Sequence, residues 1–188
     1  ADAAQHARAV FVGDGAFDQR DTVATGRTDI AMTHDLAPVP ELVDAVAVAA
    51  EEAIRQLRAE HSDDFCVYAL VTSGEGYRPY LAVTVHGEAR WDLADGPYDI
   101  VGDEILARAE PAFAARGDLY EMTEENAETE YLRRLASMEA ALRRLDDRGL
   151  FGRGEERGRV LLLVATMPPD ESDATYAVVR LKSSKNAQ

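Results

Sequence analysis

Six side chains, Tyr77, Arg78, Tyr80, Arg90, Trp91 and Tyr98, are of the types best suited to holding another molecule. Arginine next to aromatic rings suits a planar or anionic ligand, through forked hydrogen bonds and stacking. The same residue types recur at interface hot spots. Asp92 and Asp95 follow directly on Trp91, the only tryptophan in the chain, and either one is a candidate general base for a cleft at that place. The plainer account is structural, with Trp91 covering core and Arg90 paired to a neighbouring aspartate.

The stronger pattern is charge. Between Asp92 and Tyr131 stand twelve carboxylates and only two cations, Arg108 and Arg116, so this segment holds about ten of the fifteen net negative charges. Such a block repels nucleic acid and anionic lipid and attracts a basic protein surface. Asp92, Asp95, Glu121, Glu124, Glu125 and Glu128 are the candidate partner-binding residues. The expectation is a basic protein partner, with no nucleic acid and no membrane.

Other chemistry lacks its signature. His6, His34, His61 and His86 are scattered, with no HExxH or HxH spacing, so no metal is expected. Asp14, Asp18 and Asp21 lack the alternation and closing glutamate of a calcium loop. Gly74-Glu75-Gly76 leads into a strand rather than a helix, and Gly13-Asp14-Gly15 completes no phosphate-binding fingerprint. Residues Gly152 to Arg159 form a glycine–arginine loop whose three cations are largely offset by Glu155 and Glu156. Ser73 lacks a nucleophile elbow. Cys66, the only cysteine, sits among Phe65, Val67 and Tyr68 and reads as a small buried hydrophobe. No cofactor is expected.

The elements that must position these groups follow from periodicity. Apolar Leu42, Val46, Ala49, Ala53, Ile54 and Leu57 recur every three or four residues, which predicts a helix from Glu41 to about Glu60. Phe65–Thr72 and Pro79–His86 predict an antiparallel hairpin around Ser73–Gly76. Asp103–Arg116 is helical in period, with Pro111 set to kink or split it. A longer helix is predicted from Thr123, its N-cap, to Arg148, with an apolar stripe of Tyr131, Leu135, Met138, Leu142 and Leu145. Arg159–Thr166 reads as a central strand, and Ala174–Leu181 as the strand returning from it. Leu161, Leu163 and Val178 are expected in the core. The fold class is α+β: a mostly antiparallel sheet of two hairpins packed against two or three helices. Residues 1–40 form a loop-rich extension with a short strand, 41–182 a single domain and 183–188 a polar tail. No apolar run reaches membrane-spanning length and the start of the sequence has no basic-then-apolar leader pattern, so a cytoplasmic protein is expected. Arginine far outnumbers lysine, which occurs only at 182 and 185, a bias that suits a GC-rich bacterial genome.

The segment Ala89-Arg90-Trp91-Asp92-Leu93-Ala94-Asp95-Gly96-Pro97-Tyr98 resembles a tryptophan-bearing segment of a bacterial family, domain-of-unknown-function family 4303. Arg148-Gly149-Leu150-Phe151-Gly152 is similar to that family's glycine–aromatic–glycine step into its penultimate strand. Tyr98 stands where the family pattern has a second tryptophan, and the first forty residues have no counterpart. The resemblance implies a small cytosolic module without an established activity, and a role like that of immunity proteins in toxin systems. An acidic face suits an inhibitor that mimics a polyanion. The alternative is a small-molecule enzyme or ligand-binding protein with an arginine–aromatic cleft around Trp91.

Overall fold

A computed structural model describes residues 36–86, 93 and 96–167. The first helix, α1 (Pro40–Glu60), begins where Pro40 fixes a helical φ at a position whose N–H needs no partner. Val39 at its N-cap brings no capping side chain; instead its own N–H donates to Ser137 Oγ at 2.9 Å, tying the start of α1 to a distant helix. The six apolar positions read from the sequence are all buried. Alanines 47, 49, 50 and 53 lie on the same buried side, and small residues there let α1 approach its neighbours closely.

Strands β1 (Phe65–Ser73) and β2 (Tyr80–Val85) pair antiparallel, as expected of the hairpin. The third strand, β3 (Leu161–Met167), pairs with β1 in parallel, Val67 opposite Leu161 through Ser73 opposite Met167. The described sheet is therefore mixed, in the order β2-β1-β3, and β1 rather than β3 is its centre. The α+β class is as expected, and only the arrangement as two hairpins is inexact, because β3 joins the first hairpin through a parallel pairing with β1. The connection from β2 to β3 contains helices and is long enough to carry β3 round to the far side of β1, which a hairpin connection cannot do. The predicted return strand Ala174–Leu181 and Val178 lie outside the described residues.

Between β2 and β3, Asp103–Arg116 is broken as Pro111 requires. Helix α2 (Asp103–Leu106) passes through a 3-10 turn at Ala107–Ala109 into α3 (Glu110–Ala114), with Pro111 in the first turn of α3. The proline ring would clash with the carbonyl four residues back, that of Ala107, so the α ladder gives way there. Gly102 starts α2 with φ +60, and an added Cβ would lie 2.7 Å from Cβ of Ala53. Glycine thus serves both the left-handed turn and the close pass over α1. Helix α4 (Glu124–Asp147) follows the predicted bounds within a residue, with Thr123 at its N-cap position but no hydrogen bond from the threonine side chain. Helix α5 (Gly154–Gly158) occupies part of the stretch read as a glycine–arginine loop, and its Arg157 is buried against Asp146.

One sheet face, with Tyr68, Leu70, Leu81, Val83, Leu162 and Val164, forms a single core with α1 and α4. The other, with Val67, Ala69, Val71, Ala82 and Leu163, makes a second apolar cluster that includes Cys66. Cys66 is buried as expected, its Sγ 3.8 Å from Thr84 Oγ1. Leu163 is buried, but Leu161 opens β3 and is only half-buried.

Candidate functional site

The expected stripe of α4 holds in its second half, where Met138, Leu142 and Leu145 are buried. In the first half Tyr131 and Leu135 are only half-buried, and the residues turned inward are Glu130, Arg134 and Ser137. Arg134 is 1% exposed, the largest fully buried side chain described. Its Nε donates to Glu130 Oε1 at 3.2 Å, Nη2 to the carbonyl of Gly117 at 2.6 Å and Nη1 to that of Gly76 at 3.3 Å. Its guanidinium also lies 5.9 Å from the ring centre of Phe113. Arg116 closes the network with a forked pair of bonds to the Glu130 carboxylate, one of them from Nε at 2.8 Å. Burial raises the Glu130 pKa, but Arg116 and Arg134 outweigh it, and the carboxyl sits below its ordinary value. One buried arginine thereby fastens three pieces of chain: the β1–β2 turn, the turn after α3 and the start of α4.

The fastened surface carries the acids. Asp118 accepts from the backbone N–H of Tyr120 at 3.0 Å and sets a 3-10 turn over Leu119–Glu121. Asp118, Glu121, Glu124, Glu125 and Glu128 are all exposed, with no cation between Arg116 and Arg133. Among the described residues none of these five pairs with an arginine. Tyr120, which the sequence reading did not single out, is 75% exposed in their midst, and its hydroxyl donates to Glu75 at 2.9 Å. That bond to a carboxylate raises the phenol's pKa. Four of the six candidate partner-binding residues, Glu121, Glu124, Glu125 and Glu128, therefore share one short surface; Asp92 and Asp95 lie outside the described residues.

The candidate ligand-binding residues divide differently. Arg90 and Trp91 lie outside the described residues. Tyr77 is exposed at the hairpin turn, and its carbonyl accepts from Thr72 Oγ1 at 2.6 Å. Arg78 is held by Asp103 at 2.8 Å and Glu110 at 3.2 Å. Tyr80 opens β2 half-buried, and burial raises its pKa. Tyr98 is at the other end of the strand pair, edge-on to Phe65 and His61, with its hydroxyl on Asp63 at 2.6 Å. The strands hold Tyr77 and Tyr98 roughly 20 Å apart, so these two do not line one small cleft. Near Tyr98, Asp64 lies 2.9 Å from Arg159 and 3.9 Å from His86. Sequence reasoning did not single out Asp63 or Asp64, because their partners come from distant segments. Among the described residues no three His, Cys, Asp or Glu side chains converge as a metal site.

Together these features define an α+β protein with a mixed sheet backed by two long helices and an acidic surface pinned by a buried arginine. The family model of the Domain of unknown function (DUF4303) matches residues 82–182, more than half of the chain, and the chain belongs to that family. The match runs from β2 through β3, so α1 and the central strand β1 precede it. No curated protein and no solved structure matches the chain. No helix among the described residues is long and apolar enough to cross a membrane.

Proposed function

We propose that this protein is a binding module that docks a basic protein partner through the acidic surface of Asp118, Glu121, Glu124, Glu125 and Glu128. The observation that carries the reading is the exposure of all five carboxylates on a segment free of cations, backed by the buried Arg116–Glu130–Arg134 network. A rigid base holds the charges in fixed positions, and unpaired surface carboxylates are free to steer a cationic partner. Steering of this kind can raise association rates to about 10⁸–10⁹ M⁻¹s⁻¹ at low salt. The same reading places the protein in a bacterial cytosol, acting as an immunity protein does on a basic toxin. A partner captured from cell extract should be basic, and its association should slow steeply as salt rises. Changing Glu124, Glu125 and Glu128 together to Gln should slow association more than it speeds dissociation. An acidic partner, or binding indifferent to salt, overturns the reading.

The second reading, a small-molecule enzyme or ligand-binding protein, draws support from the titratable groups around Tyr98: Asp63, Asp64, His61 and His86. Two of this group, His86 and Tyr98, stand on either side of Trp91 in the sequence. A thermal-shift screen of metabolites, repeated on Tyr98→Phe and Trp91→Ala, tests it; hits whose effect survives both substitutions count against it.

A further inference from the structure

At the end of α4 away from the acidic surface lies a groove of about 390 Å³, formed where the last turns of α1 meet Arg148, Gly149 and Leu150. That size falls within the range of small-molecule sites. Its charge runs against that of the chain as a whole. Arg55, Arg58 and Arg148 line it, with Glu51 as the one carboxylate. Arg153 joins them across Gly149, where an added Cβ would stand 3.1 Å from Arg153 Nη2. Gly149 also has φ +79, so glycine is favoured there for the turn.

We propose that this groove binds a small oxyanion carrying two or more carboxylate or phosphate groups. Arg58 forms its fixed wall: Nε and Nη2 donate to the hydroxyl of buried Tyr68 at 2.9 and 2.7 Å, and Nη1 donates to the carbonyl of Leu150. Arg55 and Arg148 meet only at Glu51, at 2.7 and 3.3 Å, and are 66% and 58% exposed. Each guanidinium has five N–H donors, so most of theirs are not taken up by Glu51. Arg153 is exposed and has no ion pair among the described residues. The plainer account is that these arginines neutralise the carbonyl ends of α1 and α4, which both close here. The magnitudes decide against that account being complete. Two helix ends supply about one negative charge between them, and Glu51 supplies another, against four guanidiniums. The three lining guanidiniums alone leave a surplus of about one positive charge, and Arg153 beside Gly149 brings it to about two; guanidinium forks match the planar edges of carboxylate and phosphate.

The test is calorimetric and NMR titration of the full chain with pyrophosphate and, separately, with citrate, at ionic strength held constant with sodium chloride. Saturable binding with shifts confined to Arg55, Arg58, Arg148, Gly149 and Arg153 is expected. The double substitution R148Q/R153Q should weaken it about tenfold or more, while Arg133→Gln, about four turns back along α4, leaves it unchanged. Urea unfolding of each variant confirms that the fold is kept. Binding that never saturates, or that R133Q weakens as much as R148Q/R153Q does, shows a diffuse ion atmosphere and overturns the proposal. Selective binding of one anion identifies the group recognised, and equal binding of both assigns the site to oxyanions in general.

Discussion

Glu130 is the residue on which the acidic surface depends, because it pairs with one buried and one half-buried guanidinium at once. Replacing it with Gln leaves Arg134 in the core with carbonyl partners but no counter-charge. Breaking a buried pair by removing one partner costs roughly 3–5 kcal/mol, so Glu130→Gln should lower the urea midpoint by a corresponding amount. The pH dependence has a definite sign. The folded-state pKa of Glu130 lies below its ordinary value of 4.5, so its stabilising contribution is complete above that pH and fades as pH falls through the folded-state pKa. Wild type should therefore lose stability in acid more steeply than Glu130→Gln does, and parallel pH profiles would show that the pair contributes nothing. This part of the site was half legible. Glu130 and Arg134 stand four residues apart, a readable helix pair, but a hydrophobic stripe drawn through Tyr131 and Leu135 passes them over. Burial of a charged pair is decided by Arg116 and by the carbonyls of Gly76 and Gly117, which come from other parts of the chain.

Among the elements, those governed by local rules matched their sequence signals. The apolar repeat of α1, the alternation of turn and strand at β1–β2 and the break enforced by Pro111 each depend on residues within a few positions of one another. The parallel placement of β3 does not. The run Leu161–Val164 reads as buried on both faces whichever neighbour it has, and only the path of the intervening helices brings it beside β1. Exposure now ranks two leucines that sequence alone treats alike. Leu142 is completely buried between α4 and the sheet, so Leu142→Ala should cost about 2–5 kcal/mol. Leu161 is half-buried at the strand's first residue, so Leu161→Ala should cost clearly less, measured by the same urea unfolding. Gly102→Ala belongs with the severe changes, since the left-handed backbone alone costs roughly 1–2 kcal/mol and the new methyl meets Ala53.

Across the whole molecule, charge is distributed along α4: carboxylates crowd its start, and the guanidiniums of the α1–α4 groove sit past its end. That ordering complements the helix dipole, yet it does not account for every acid. Glu124 and Glu125 occupy the first turn, where a negative charge typically stabilises by about 0.3–1 kcal/mol. Glu128 lies beyond that turn, four residues after Glu124 and three after Glu125, and like charges at these spacings destabilise a helix by roughly 0.2–0.5 kcal/mol per pair. Stability alone thus favours a neutral residue at 128. If the acidic surface serves a basic partner, Glu128 is retained for association at the expense of the fold. Glu128→Gln should then raise the thermal midpoint slightly at low salt, with the gain shrinking as salt screens the repulsion, and should slow capture of the partner. Glu124→Gln should also slow capture, but without the gain in stability. A Glu128→Gln protein that is less stable than wild type at low salt would show instead that this carboxylate serves the fold, and would remove it from the docking surface.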